Sequence, residues 1–370
     1  MLIGATVSYT TRKVYIGGAG TTKRIGIGGD SPVSVQTMWK EGITDVLDNR
    51  DALFSVVERI ESLSNLGCDI LRFAVPDMAS ADALVKIAEN TSMPLVADIH
   101  FDYKLALRCL EGNVAKIRIN PGNIGSRDRV EAVVNKCREK GAAIRIGVNS
   151  GSLPKDIADA FFEKRITRSQ GLAQTALREV EVFDQLGFDQ VIVSMKASSV
   201  LETIEANKEF AMKSDIPLHV GVTEAGPLIG GIVKSTLAFS SLLYQGIGNT
   251  IRVSLSSSPE NEVITGNEIL RETGKRSGGV KIVSCPRCGR NGFDVHGFID
   301  RWQNRLLSMD KDITVAVMGC VVNGPGEGKH ADIGITGAGN KVMIFKHGKI
   351  IQTVSVEDAD NVFEKELLSL

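Results

Sequence analysis

What most constrains this chain is a repeat: eight apolar, β-branched segments, each followed by a stretch of helical periodicity. The segments are "VSVQTM" (33–38), "DILRFAVP" (69–76), "LVADIHF" (95–101), "AKIRINPG" (115–122), "AIRIGVNS" (143–150), "QVIVSMKAS" (190–198), "LHVGVTEAG" (218–226) and "TIRVSLS" (250–256). Alternation of this kind is the signature of βα units and a parallel sheet, and eight units close a (β/α)8 TIM barrel. The stretch 51–66 shows the helical half of the pattern: Leu53, Val56, Val57, Ile60 and Leu63 share one face, and Gly67 supplies the stop. A doubly wound open sheet is the alternative, but no G-x-G-x-x-G turn follows the first strand. The closed barrel is the expectation.

A barrel takes roughly 250 residues, so a chain of 370 has room for a second, smaller domain. "GKRSGG" (274–279) reads as a linker and divides the chain into a barrel over 1–276 and a domain over 277–370. In the second part the pattern predicts a strand within "VKIVSCPRC", a helix over about 296–308, strands at "ITVAVMGC" and "ADIGIT", a hairpin in "KVMIFKHGKIIQTVSV", and a closing helix over about 356–368. That describes a small α+β domain.

A formal net charge of -1, with no run of five or six like charges, argues against a nucleic-acid surface. The opening "MLIGATVSYTTRKVYIGG" reads as neither a signal-peptide core nor a membrane span, so a cytoplasmic protein is expected. In that compartment the six cysteines are expected to be metal ligands or buried thiols rather than disulfides.

Barrels of this kind build their active sites at the carboxyl ends of the strands. There the sequence places Arg72, Asp98 with His100, Arg118 with Asn120, Arg145 with Asn149, Ser194 with Lys196, Thr223 with Glu224, and Arg252 with Ser254. Residues two or four apart on a strand share a face. If those faces point inward, five cations (Arg72, Arg118, Arg145, Lys196 and Arg252) converge on one mouth, offset by Asp98 and Glu224. Such a mouth suits a multiply charged anion, most simply a phosphate or diphosphate, which arginine grips with paired donors. Any one arginine in a strand can equally be an outward side chain or an ion-pair partner, and it is the recurrence at equivalent positions that carries the argument. His100 beside Asp98 is a candidate for orienting substrate or moving a proton. The turn "INPGNIG" (119–125) offers backbone N–H groups to an anion, though Gly-rich loops are common.

Cys68, Cys109 and Cys137 sit singly in apolar stretches and read as small buried hydrophobes. Cys285 and Cys288 form a C-x-x-C within "CPRCG", and Cys320 ends a strand ahead of the Gly/Pro-rich "VVNGPGEG". Three thiolates suit zinc, with His296 or His330 completing the shell. They equally suit an iron-sulfur cubane whose fourth iron takes an oxygen ligand or stays open to substrate. Glu327, in the turn after Cys320, is the nearest candidate for that oxygen. Spacing leaves both metals open.

The stretches "SCPRCGR", "MGCVVNGPGE", "PLVADIHFD", "RINPGNIG", "IRIGVNSGSL", "VSMKAS", "TEAG" and "IRVSLSSSP" together resemble the 4-hydroxy-3-methylbut-2-enyl diphosphate synthases, iron-sulfur reductases of the non-mevalonate isoprenoid pathway. The resemblance runs in order from about residue 11 to about residue 337, and the last thirty or so residues match least. It implies a TIM barrel and a 4Fe-4S cluster bound by Cys285, Cys288 and Cys320, with Glu327 as the exchangeable ligand of the fourth iron. It implies diphosphate binding by Arg72, Arg118, Arg145, Lys196 and Arg252, with Asn149, Ser254 and His100 nearby. It also implies contact of Glu224 with the substrate's hydroxyl groups, and Asn323 beside the cluster. The activity it implies is reductive ring opening and dehydration of 2-C-methyl-D-erythritol 2,4-cyclodiphosphate. The partners it implies are flavodoxin or ferredoxin as electron donor and a second copy of the chain, in a homodimer where one chain's cluster domain caps the other's barrel. Nucleic acid and membrane are not expected partners.

There are departures. Where the family usually reads "MTNT" after the first barrel strand, this chain has "QTMWKEGITDV", with Trp39, Lys40 and Glu41 in the loop. It also lacks the large insert of plant-type members and so resembles the shorter, two-domain bacterial type. A redox-inert barrel enzyme acting on a phosphorylated substrate, with "CPRCG" as a structural zinc ribbon, is the competing reading from the residues.

Overall fold

The computed structural model of the chain describes residues 9–149, 153–289, 292–321, 326 and 328–370, with backbone only at 121 and 123. It divides into two compact units, Met1–Arg276 and Ser277–Leu370.

The first unit opens with an antiparallel hairpin, β1 (Lys13–Ile16) and β2 (Ile25–Gly28), that the periodicity did not reveal. Eight parallel strands follow: β3 (Ser34–Met38), β4 (Ile70–Ala74), β5 (Leu95–Asp98), β6 (Lys116–Ile119), β7 (Ala143–Asn149), β8 (Val191–Lys196), β9 (His219–Val220) and β10 (Thr250–Ile251). Hydrogen bonding runs in sequence order from β3 to β8, β10 pairs with both β3 and β9, and a parallel bridge between Val193 and Leu218 joins the two ends of the sheet. This is a closed (β/α)8 barrel, with one strand in each segment that the sequence singled out. β9 and β10 are only two residues long. Past β9 the chain turns away, and Glu224 takes a left-handed backbone with φ 50° that no strand accommodates.

The hairpin has a structural task. Val14, Ile16 and Ile27 pack against Ile70, Val96, Ala115, Ala143 and Ile192, which lie at or near the starts of the barrel strands. Each such buried aliphatic contributes about 1.5–3 kcal/mol. The amino end of the barrel is thereby plugged, which leaves the carboxyl end for chemistry.

The helix Arg50–Asn65 shows how local sequence sets an element. Asn49 caps it by accepting from the amides of Asp51 and Ala52, Ile60 and Leu63 are its buried side chains, and the chain departs at Gly67. Gly67 has φ 94°, and a Cβ there would meet the Asn267 amide nitrogen at 2.7 Å. The stretch read as a linker is tethered at its start, because Arg276 donates to Asp69 Oδ2 at 2.6 Å and to the Gly67 carbonyl at 3.2 Å.

The second unit is one five-stranded sheet, β11 (Lys281–Ser284), β12 (Thr314–Met318), β13 (Ile333–Ala338), β14 (Lys341–Lys346) and β15 (Lys349–Val354), in that order. The first three strands are parallel and the rest antiparallel. Helices Val295–Leu307 and Ala359–Leu368 contribute to its main core, in which Phe298 stacks on Trp302 at 5.5 Å and Phe363 stands edge-on to both. A smaller cluster of Ala316, Met318, Ala331 and Phe345 has Cys285 packed against it. Among the described residues, no helix is long and apolar enough to cross a membrane.

Candidate functional site

The barrel brings the expected cations close enough to act on one another, with Arg72, Arg118 and Arg145 about the carboxylate of Asp98. Asp98, the last residue of β5, is buried and accepts from Arg118 Nη1 at 3.0 Å; Arg72 Nε lies 3.6 Å from its other oxygen. His100 Nε2 is 3.6 Å from Asp98 and 3.3 Å from Arg118 Nη1, with its ring half exposed. Arg145 is fully buried on β7, level with Arg118 on β6. Lys196 ends β8 and pairs in register with Asn149. Asn120 and Ser194 are buried as well, while Asn149 and Ser254 are partly exposed and Glu224 is exposed on its turn.

Electrostatically this is a strained cation cluster. Burial, then Arg72 and Arg118, pushes the Arg145 guanidinium well below its ordinary pKa; burial and the surrounding arginines do the same to Lys196. Arg72 is lowered to about 10, again by burial first. Burial alone would raise the Asp98 carboxyl, but Arg72, His100, Arg118 and Arg145 outweigh it and hold Asp98 ionised far below the usual carboxylate range. Among the described residues, the buried Nε atoms of Arg72, Arg118 and Arg145, and Nη1 of Arg145, have no hydrogen-bond partner. Buried donors of this kind cost stability unless an acceptor reaches them, and a multiply charged anion supplies several acceptors at once.

The expected balance of charge needs one correction. The second buried carboxylate is Glu262, from helix Pro259–Glu272, and not Glu224. Glu262 accepts from Arg252 Nε at 3.2 Å and Nη2 at 3.1 Å, from Thr37 Oγ1 at 2.7 Å and from the Leu255 amide at 3.0 Å. Asp98 and Glu262 are the only buried Asp or Glu side chains among the described residues.

In the second unit, Cys285 follows β11 directly, and its amide donates to the Val317 carbonyl on β12 at 3.0 Å. β12 ends at Met318, so Cys320 lies two residues beyond it. None of the six cysteines is in a disulfide; Cys320 is buried, Cys285 partly so and Cys288 exposed. Asn323 and Glu327 lie outside the described residues. Among the described residues, no three His, Cys, Asp or Glu side chains are gathered tightly enough to hold a metal ion. His296 and His330 are both exposed. The donor set nonetheless fits a thiolate-bound cluster in type and in backbone placement: one C-x-x-C loop and one further thiol, just past the carboxyl ends of two hydrogen-bonded parallel strands. Cys68, Cys109 and Cys137 are buried, and burial raises their thiols, to about 12 for Cys68 and Cys109, as inert core cysteines require.

Residues 11–267 match the GcpE TIM-barrel domain, and residues 281–369 match the GcpE protein C-terminal domain. The chain belongs to the GcpE family. Among its relatives, a protein of Treponema denticola named 4-hydroxy-3-methylbut-2-en-1-yl diphosphate synthase (flavodoxin) is 56% identical over 97% of this chain and 98% of its own length. Proteins of the same name from Treponema pallidum and Clostridium acetobutylicum are 56% and 44% identical. They cover 98% and 96% of this chain, and 92% and 98% of their own lengths.

Two kinds of residue in this GcpE barrel escaped the sequence reading. Lys116, the first residue of β6, is a further cation, fully buried and donating to Gln36 at 3.4 Å; its pattern position marked it only as a strand residue. Gly147 and Gly221 make room for the cations: a Cβ on Gly147 would sit 2.5 Å from Arg118 Nε, and one on Gly221 would sit 2.9 Å from Lys196 Nζ. A glycine within or just after an apolar strand segment is the signal that could have found them.

Proposed function

We propose that the chain is a 4-hydroxy-3-methylbut-2-en-1-yl diphosphate synthase. It opens the ring of 2-C-methyl-D-erythritol 2,4-cyclodiphosphate with two electrons and releases one hydroxyl as water, to give 4-hydroxy-3-methylbut-2-enyl diphosphate. The observation that carries this reading is the mouth itself: buried guanidinium nitrogens without partners among the described residues, crowded against one another and against Lys196. Arg72, Arg118, Arg145, Lys196 and Arg252 bind the diphosphate, with His100, Asn149 and Ser254 around it, and Asn323 is a substrate-binding residue beside the cluster. Asp98 orients Arg72 and Arg118 rather than touching the anion, since a carboxylate would repel it. Low solvent access in the mouth strengthens each of these contacts and fixes the carbon skeleton toward the reductant.

Glu224 stands at the rim in a left-handed backbone, the kind of local strain that persists where a side chain has a task. Its carboxylate binds the substrate's hydroxyl groups, and it or Glu327 supplies the proton that leaves with the departing oxygen. Cys285, Cys288 and Cys320 would hold a 4Fe-4S cluster, with Glu327 as the exchangeable fourth ligand. Such a cluster supplies single electrons and a Lewis-acidic iron.

The electron donor is flavodoxin, the carrier in the relatives' names, or ferredoxin. The working unit is a cytoplasmic homodimer; the helix Leu228–Leu243 exposes Ile229, Val233 and Leu237 along one stripe, an apolar surface that a second copy can cover. The test is turnover. Protein purified without oxygen, given reduced flavodoxin and the cyclic diphosphate, should form the linear diphosphate; a full cluster complement and a reduced donor with no product would overturn the reading.

A further inference from the structure

The loop after β3 reaches the mouth through Glu262, the partner of Arg252. Trp39 is buried and stacks on Phe73 at 5.5 Å, with the Arg59 guanidinium 5.1 Å from its ring. Arg59 in turn pairs with Glu41 at 2.6 Å and Glu260 at 3.2 Å. Between them Lys40 Nζ lies 3.0 Å from Glu262 Oε1 and donates to the carbonyls of Leu255, at 2.8 Å, and Ser257. One loop is thus fastened to the segment that follows β10.

The charges matter more than the fastening. Glu262 is fully buried and engages Arg252 through both Nε and Nη2, so the pair taken alone is neutral and would offer an anion little. Lys40 adds a second cation to the same carboxylate oxygen that Arg252 Nη2 uses. The trio is then net positive, and Glu262 is shared rather than spent on Arg252. We infer that Lys40 and Glu262 are positioning residues for the anion site: Glu262 fixes the plane of the Arg252 guanidinium, and Lys40 offsets the carboxylate so that Arg252 acts on a bound diphosphate as a full positive charge. The inference rests on the mouth being the diphosphate site.

The test uses inorganic pyrophosphate as the probe, read by calorimetry on the full chain at several salt concentrations, and needs no turnover. Lys40→Gln keeps a donor for the two carbonyls but removes the charge. It should weaken pyrophosphate binding about fivefold and flatten the salt dependence, with Lys40→Arg restoring both. A structural staple alone would leave the salt dependence unmoved. Wild-type binding matched by Lys40→Gln, in affinity and in salt dependence, overturns the inference and leaves the proposed function standing. Wild-type protein that binds no pyrophosphate overturns the mouth reading and this inference with it. Should Lys40→Gln unfold early, Glu262→Gln decides by the same readout: unchanged affinity and salt dependence there would equally refute the positioning role.

Discussion

In the barrel, Arg72, Arg118 and Arg145 lie within regular strands and are held in place by the sheet, whereas Cys285, Cys288 and Cys320 all lie beyond the ends of β11 and β12. The barrel site is assembled by the fold. The three thiols are instead carried by the loops that follow β11 and β12. The contrast follows from what each site must do. On the proposed function a diphosphate comes and goes, so its partners have to be fixed beforehand, at the cost of burying like charges together. A cluster stays, and its own bonds can order the loops that hold it.

The contrast is broken most severely at the thiols. Cys285→Ser should abolish turnover of the cyclic diphosphate while leaving pyrophosphate binding intact, measured by product formation and calorimetry on the same preparation. Pyrophosphate binding lost together with turnover would mean that the two sites are not built independently.

Next in size is Arg145→Met. Arg145 is fully buried, and two of its nitrogens have no partner among the described residues, so an apolar side chain of similar length should leave the melting temperature unchanged or raise it. Pyrophosphate affinity should nevertheless fall by about thirty- to a hundredfold, as expected when a buried charge contact is removed. A drop in both would make Arg145 a structural residue.

The smallest effect is on pH. Burial, then Arg145 and its neighbours, holds the Lys196 ammonium well below its ordinary pKa, so in the empty mouth it loses its proton at lower pH than an exposed lysine. A bound diphosphate favours the charged form and draws the pKa back up. Binding therefore takes up protons in that window, and affinity declines as pH rises through it. Lys196→Arg should flatten the decline, which titration calorimetry in two buffers of different ionisation enthalpy would record.

How much of this could be read from the residues differs between the two regions for the same reason. The eight strands and the five cations were legible because period-two patterning and strand-end position are local properties. The β1–β2 plug was not, since its packing on strand starts far along the chain leaves no periodic trace. Glu262 was hidden because it sits on a helix that reads as ordinary amphipathic surface, and its partners Thr37, Lys40 and Arg252 become neighbours only when the barrel closes. β9 is shorter than its apolar segment, whose remainder includes the left-handed turn at Glu224, a backbone state that strand patterning does not reveal. In the second unit, C-x-x-C spacing marks Cys285 and Cys288 as candidate ligands without choosing the metal, since zinc and iron accept the same thiolates.

The most direct test of the central claim is the metal itself: iron, acid-labile sulfide and zinc per chain, with a visible spectrum, on protein never exposed to air. About four irons and four sulfides, with a broad brown absorbance, is the predicted result. One zinc and a colourless protein would contradict it, leaving the barrel mouth as an anion site in an enzyme with no electrons to deliver.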